Sequence, residues 1–473
     1  MSASTRRDLL ARAGNGLGLL ALAGLLDSLG LNAAEPADPL APRPGHFPAK
    51  AKAVIWVFMN GGPSHVDTWD YKPELAKRDG TELAGFDKDT GFFTDQVGPL
   101  MGSPFAFKQH GQCGAWVSEL FPALAQHVDK MAFLHSCWTD SNNHAPALLE
   151  INSGMPRMGF PSLGAWLTYG LGSAARDLPA FIAMTDTKGR GVPKGHSANW
   201  SAGFLPGIYQ GTALKPQGAP IGDLERAAEL SDPAQRAQLD LLARLNRRSA
   251  ADGELEARIA SFELAYRMQT AAPEALDLGR EPAHIQKLYG LDDPRCAPYG
   301  RQCLLARRLV ERGVRCVQIY SGGMDNEKSW DGHVDLVGNH RGFAAETDTP
   351  IAGLLTDLAQ RGLLDSTLVI WGGEFGRLPV SQRTKDGKNA GRDHNPHAFT
   401  TWMAGGGVKG GCRHGATDEI GHKAVVDRVG VHDLHATILH LMGLDHEQLT
   451  YRFNGRDYRL TDVAGKVVRA ILA

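Results

Sequence analysis

The run Ala53-Val54-Ile55-Trp56-Val57-Phe58-Met59 is apolar without a break and ends in Asn60-Gly61-Gly62. A strand with one wet face alternates apolar and polar residues. An unbroken run marks a strand covered on both faces, as in parallel sheets. The glycines that follow allow a tight turn. Similar runs recur at Met131–Cys137, Ala180–Met184, Val314–Tyr320 and Ser366–Trp371, with helical patterns at Leu304–Val310 and Ile351–Arg361 before the last two. A further buried-looking strand spans Ala398–Ala404. This alternation predicts an α/β fold, a doubly wound, mostly parallel central sheet flanked by helices.

Two segments interrupt the pattern and are read as an insertion at about 185–300. Thr185–Glu225 is rich in Gly, Pro and Lys and holds Arg190, Lys194, His196 and Trp200. It reads as a long functional loop or lid. Asp232–Ala272 reads as helical, with Ile259, Phe262 and Tyr266 on one core-facing stripe.

The start of the chain sets the expected compartment. Thr5-Arg6-Arg7-Asp8-Leu9-Leu10 is a twin-arginine pattern, and an apolar Gly16–Leu26 run follows it. That run is short and Gly-rich for a spanning helix, so residues 1–34 read as a twin-arginine signal with cleavage near Ala33-Ala34. The alternative is an anchor that stays uncleaved. Residues 35–50 read as a Pro-rich tether, and 51–473 as one α/β domain. The expected location is periplasmic or extracellular, reached through the twin-arginine export machinery. A formal net charge of −2 argues against a nucleic-acid partner. No later segment is apolar enough to span a membrane. The six cysteines form no Cys-x-x-Cys pair, which argues against a zinc ribbon. Cys137 and Cys316 fall within apolar strands and read as core thiols.

Ligands of a doubly wound sheet bind beyond the carboxyl ends of its strands. There the sequence places Ser64, His65 and Asp67 after the first strand, and Asp140, Ser141, Asn143 and His144 after the second. Asp140 or Ser141 could cap the helix that follows. Asp325, Asp331 and His333 follow the fourth strand and Glu374 and Arg377 the fifth; Gly391-Arg392-Asp393-His394-Asn395-Pro396 comes next. Imidazoles and carboxylates at consecutive strand ends suit a divalent metal, zinc first, with manganese, calcium or magnesium as alternatives. The candidate metal ligands are His65, Asp67, His144, Asp331, His333, Glu374, Asp393 and His394. Ser141, and after it Ser64, are candidate nucleophiles, and Arg377 and Arg392 are candidate holders of anionic oxygens. His432, His435 and His440 lie on an amphipathic helix and read equally as structural or functional. No His-Glu-x-x-His occurs, which weakens a metalloprotease reading.

Several stretches together resemble a known family. They are the twin-arginine start, Gly61–Asp70 with Lys72-Pro73, Asn143-His144, Trp200–Pro206 with Tyr209-Gln210-Gly211, Ala306–Val314, Gly372–Arg377, Gly391–Pro396 and Leu434–Gly443. Over essentially the whole mature chain they look like the exported bacterial family catalogued as domain of unknown function 1501, grouped with the alkaline phosphatase and sulfatase superfamily. The resemblance implies an alkaline-phosphatase-like core and no fixed substrate. It also implies that Asp331, His333 and His394 are late metal ligands and that Thr139-Asp140-Ser141 is a nucleophile segment. Two positions depart from the superfamily pattern. Asn60 stands where the first acidic ligand is expected unless Asp67 replaces it, and Glu374-Phe375 stands where Asp-His is usual. Cys296–Arg301 is one residue too long for the sulfatase Cys-x-Pro-x-Arg motif. The function expected is a metal-dependent hydrolase of sulfate or phosphate esters, acting on a small-molecule or carbohydrate-linked ester. The alternative is a non-catalytic exported binding or assembly protein on a degenerate hydrolase scaffold.

Overall fold

A computed structural model describes residues 38–215, 224, 226–227, 230–246, 253–324, 328–383 and 389–473. The signal reading, the first residues of the tether and Asp325 lie outside the described residues.

The central sheet is built from β1 (Ala53–Met59), β2 (Met131–Trp138), β3 (Phe181–Met184), β4 (Thr212–Leu214), β5 (Cys316–Ser321), β6 (Thr367–Gly372), β7 (Phe399–Ala404), β8 (Cys412–His414) and β9 (Val429–Gly430). Its order is β8-β2-β7-β6-β1-β5-β3-β4, with β9 also on β2. Every pairing is parallel except those of β7, which runs antiparallel to β2 and β6. β1 lies in the middle, where Val57 pairs with Ile319 on one side and Trp371 on the other. All its residues are buried, as a strand covered on both faces requires. The mostly parallel, doubly wound α/β sheet expected from the sequence is the sheet observed.

The main helices are α1 (His144–Ser153), α2 (Leu163–Leu171), α3 (Asp232–Asn246), α4 (Gly253–Leu276), α5 (Ala297–Glu311), α6 (Leu336–Gln360) and α7 (Val431–Leu441). α1 is capped by Asn143, whose side chain accepts from Ala145 N, rather than by Asp140 or Ser141. It ends at Gly154, which takes the left-handed conformation at φ 75°. No helix among the described residues is long and apolar enough to cross a membrane.

Some local readings are corrected. The stripe of α4 that faces the core is Leu264, Met268, Ala272 and Ala275; Phe262 is exposed, and the Tyr266 ring lies under the Arg236 guanidinium of α3. Residues 38–50 are no free tether. Leu40 is buried, Arg43 Nη1 donates to the Tyr169 carbonyl, and Lys50 N donates to the Leu441 carbonyl. Trp200 is core, packed near Tyr320, and Arg190 is paired with Asp186 and Glu346, so neither is offered to a substrate. The six cysteines are all unpaired.

Candidate metal centre

The site forms where the parallel strands end. β2 runs into the Thr139–Asn143 turn, which delivers His144 as the first residue of α1. β5 leads toward Asp331 and His333, which precede α6, and Trp330 N donates to the Asn60 carbonyl at the end of β1. Beyond β6, Gly376–Arg377 pairs antiparallel with His394–Asn395, which sets Arg377 opposite His394. Gly61 and Gly62, at φ 107° and 68°, let β1 turn here, and a Cβ on Gly62 would strike the Phe375 ring.

His144, Asp331, His333 and His394 converge, with one donor atom from each within 4.8 Å of the others, and all four are buried. His144 Nε2 lies 3.1 Å from Asp331 Oδ2, and His333 Nε2 and His394 Nε2 lie 2.9 and 3.2 Å from Asp331 Oδ1. The Nδ1 atom of each ring is held from behind. His144 Nδ1 donates to Glu374 Oε1 (2.6 Å), His394 Nδ1 to the Asn142 carbonyl (2.6 Å), and His333 Nδ1 to Gln382 Oε1 (2.7 Å). A carbonyl can only accept, so Nδ1 carries the proton and the Nε2 lone pair faces inward.

That arrangement favours a cation among the rings. The Nε2 atoms of His333 and His394 stand 2.9 Å apart, and two neutral rings bound through Nδ1–H would aim lone pairs at each other. His144 Nε2 is buried and makes no hydrogen bond of acceptable geometry among the described residues. Burial, and then repulsion from His144, push His394 well below its ordinary value, so protonating that ring is no remedy. Burial pulls His144 down too, but the nearby Asp331 and Glu374 carboxylates outweigh it and raise the ring above its ordinary value. Burial opposes the Asp331 charge, yet the Arg377 guanidinium holds that carboxyl well below the usual range. Donor atoms around tetrahedral zinc stand about 3.3 Å apart. The residues present therefore fit a divalent ion, and three imidazoles with one carboxylate suit zinc or manganese better than calcium or magnesium.

The other candidate ligands fall outside the cluster. Asp67 is tied to Arg392, with Oδ2 2.7 Å from Nε and Oδ1 3.2 Å from Nη2, and Ser64 Oγ donates to Oδ2 at 2.5 Å. Arg392 overcomes the burial penalty and lowers the Asp67 carboxyl. His65 Nε2 bonds the Gly421 carbonyl instead. Glu374 stands one bond behind the centre, accepting from Gly61 N as well as from His144. Asp393 is also behind it, accepting from His394 N (2.7 Å) and Phe93 N (2.6 Å).

The arginines and serines are also resolved. Arg377 donates to the Gly61, Gly62 and Arg392 carbonyls and to Asp331 Oδ1 (2.6 Å). Arg392 donates to Asp67 and to the Leu378 and Met101 carbonyls. Both are fully buried, so their forks hold the protein together rather than a ligand. Ser64 is buried, and its hydroxyl donates to Asp67, which lies outside the four-residue cluster. Ser141 is half-buried in the turn before His144, where its Oγ accepts from Asn143 N. Asn60 sends its amide to the Gly323 and Met324 carbonyls. His432 and His435 bond the carbonyls of Gly154 and Ile151, and His440 packs on Phe47, so these three are structural. Cys296 starts α5 and bonds the Gly290 carbonyl, with no link to the centre.

Sequence reasoning missed Asn142, Gln382, Phe92 and Phe93. Phe93 meets the His333 ring edge-on at 5.0 Å, and Phe92 lies 5.7 Å from His394. The one local signal is that Asn142 stands two residues before His144.

Residues 51–472 match the family model DUF1501, described as a protein of unknown function. No curated protein matches the sequence. Among solved structures, the chain is similar to the lipoteichoic acid synthase LtaP from Listeria monocytogenes at 10% identity, covering 92% of this chain and 81% of that one with a TM-score of 0.35. It is similar to the PsFucS1 sulfatase from Pseudoalteromonas sp. at 12% identity, covering 91% and 71% with a TM-score of 0.36. It is also similar to alkaline phosphatase from the Antarctic bacterium TAB5 at 10% identity, covering 76% and 92% with a TM-score of 0.31. Likenesses this distant assign no activity to the chain.

Proposed function

The chain belongs to the DUF1501 family, and we propose that it is an exported, metal-dependent hydrolase of sulfate or phosphate esters, with a carbohydrate-linked ester as its substrate class. One observation carries the reading: three imidazoles, each oriented through Nδ1, aim Nε2 at the ionised Asp331. Such a donor set is costly to bury without a cation. A bound divalent ion supplies Lewis acidity to a phosphoryl or sulfuryl oxygen.

The chain's own groups have separate tasks. Arg377 keeps Asp331 ionised and in place. Glu374 orients His144 and pins the Gly61 turn. Ser141, three residues before His144, is the hydroxyl offered as nucleophile. Phe92, Phe93 and Phe375 line the centre with apolar surface, which lowers the local dielectric and strengthens each charge contact.

The first test is metal content by mass spectrometry on the folded protein, with His394→Ala beside it, followed by a panel of sulfate and phosphate esters. Near-stoichiometric ion that falls in the variant, with ester turnover lost in Ser141→Ala, supports the reading. A well-folded wild type without ion sinks it.

A second reading has its own support. Four protein ligands close a zinc shell, as structural sites do, and both arginines are committed to the protein. An exported binding or assembly protein with a structural ion would carry metal and hydrolyse no ester on the panel.

A further inference from the structure

The four ligand residues are buried, each keeping only 3–7% of its surface exposed, so the way in to them is narrow. The segment Asp87–Gln96 lies against them. It carries two single 3-10 turns, Lys88–Thr90 and Thr94–Gln96, joined through Gly91-Phe92-Phe93. Phe93 covers His333; Phe92 lies beside His394 and is 47% exposed.

Three residues tie this loop to the centre, and each also supports a ligand histidine. Asn142 Nδ2 donates to the Gly91 carbonyl (2.8 Å) and the Thr90 carbonyl (3.3 Å), while its own carbonyl holds His394 Nδ1. Asp393 accepts Phe93 N on one oxygen and His394 N on the other. Gln382 donates to Gln96 Oε1 (2.6 Å), while its Oε1 holds His333 Nδ1. Gly91 allows the close approach, since a Cβ there would run into the Asp393 carboxylate.

We infer that Asn142, Asp393 and Gln382 are positioning residues that join the Asp87–Gln96 loop and the ligand histidines into one unit, so that the loop opens to admit ion and ester and closes when the ion is held. The inference rests on the metal reading of the site and not on ester turnover. Its physical basis is sharing. An ion that fixes His333 and His394 fixes the backs of those rings, and with them the acceptors and donors that hold the loop. Beyond these ties the loop is held by buried Thr90 and by Arg383 N, which donates to the Gln96 carbonyl, while Lys88, Asp89 and Phe92 are exposed.

The test uses purified full-length protein loaded with Zn²⁺. Release of the ion into excess chelator is timed, and hydrogen exchange of the Phe93 amide is followed with and without Zn²⁺. Asn142→Ala removes only the side-chain clasp and leaves the carbonyl on His394. Losing those bonds is expected to speed release by about tenfold. Gly91→Ala, which forces the loop off Asp393, is expected to act in the same direction and serves if the first variant fails to fold. Arg341→Ala, which removes an exposed pair with Glu119, leaves release unchanged. Zn²⁺ is expected to slow exchange at Phe93 in the wild type and to do so less in Asn142→Ala. Uptake of Zn²⁺ with release unaltered in both loop variants, or with Phe93 exchange indifferent to the ion, overturns this inference alone. A folded wild type that takes up no Zn²⁺ overturns it together with the metal reading.

Discussion

Replacing Asp67 by Asn leaves the Arg392 guanidinium fully buried without its counter-charge. Arg392 keeps the Leu378 and Met101 carbonyls, but they supply no net negative charge. Removing one partner of a buried, doubly bonded ion pair costs about 3–5 kcal/mol. Over the 51–472 span, an unfolding entropy of about 2.1 cal/mol/K per residue makes one degree worth about 0.9 kcal/mol, so the melting temperature should fall by about 3–6 °C. Calorimetry at fixed Zn²⁺ measures this, and mass spectrometry of the same sample measures the ion. The expected result is a lower melting temperature with the ion content of the folded protein unchanged, because Asp67 lies outside the cluster. The double variant Asp67→Leu/Arg392→Met should lose less than the two single losses combined, since it buries no lone charge. An Asp67→Asn protein that melts within a degree of the wild type and has lost its ion would refute the assignment of Asp67 as a structural partner.

The remaining predictions concern the centre and its surroundings. Glu374→Gln keeps an acceptor for His144 Nδ1 but removes the charge behind it, so ion affinity in a chelator competition should fall by about 10–100-fold while the protein stays folded. Burial, and then the Asp140 charge, push Glu150 from its ordinary value up to about 7, against the pull of the Thr139 hydroxyl and Asp140 N–H. The folded state therefore binds more protons than the unfolded state between the ordinary carboxyl range and about 7. That contribution to stability is full at acid pH and is lost as pH rises through this window, by about 3 kcal/mol. Glu150→Gln should flatten the fall in denaturant midpoint between pH 5 and 8, and an unchanged slope would show that Glu150 is ionised throughout.

The sheet was legible because its strands are buried on both faces, and that condition writes itself locally as unbroken apolar runs such as Ala53–Met59. The strand ends were legible for the same reason, and with them the positions of His144, Asp331, His333 and His394. Selecting those four from eight candidates was not possible from spacing. His65 and His144 each follow a strand, yet one ring turns to the Gly421 carbonyl and the other to Glu374. Asp67 looks like a ligand until Arg392, far along the chain, is seen to occupy both of its oxygens. Arg377 looks like an anion holder until backbone carbonyls claim its fork. The α4 stripe was misread because Phe262 and Tyr266 are apolar enough to suit either side of the helix, and contact with α3 decided the face. Local pattern reports burial; it does not report which distant group completes a buried charge.

The donor set is drawn from three stretches of chain, around His144, Asp331–His333 and His394, and strands from all parts of the sequence must pair before they meet. No fragment that stops short of β7 contains the whole set in its final register. Contacts this distant in sequence form slowly and late. Ion binding at this cluster would therefore have the character of a completion signal. It would discriminate a chain whose sheet has paired through β7 from shorter or half-assembled ones, and a chelator-resistant ion would serve as an assay of how much of a preparation has reached that stage.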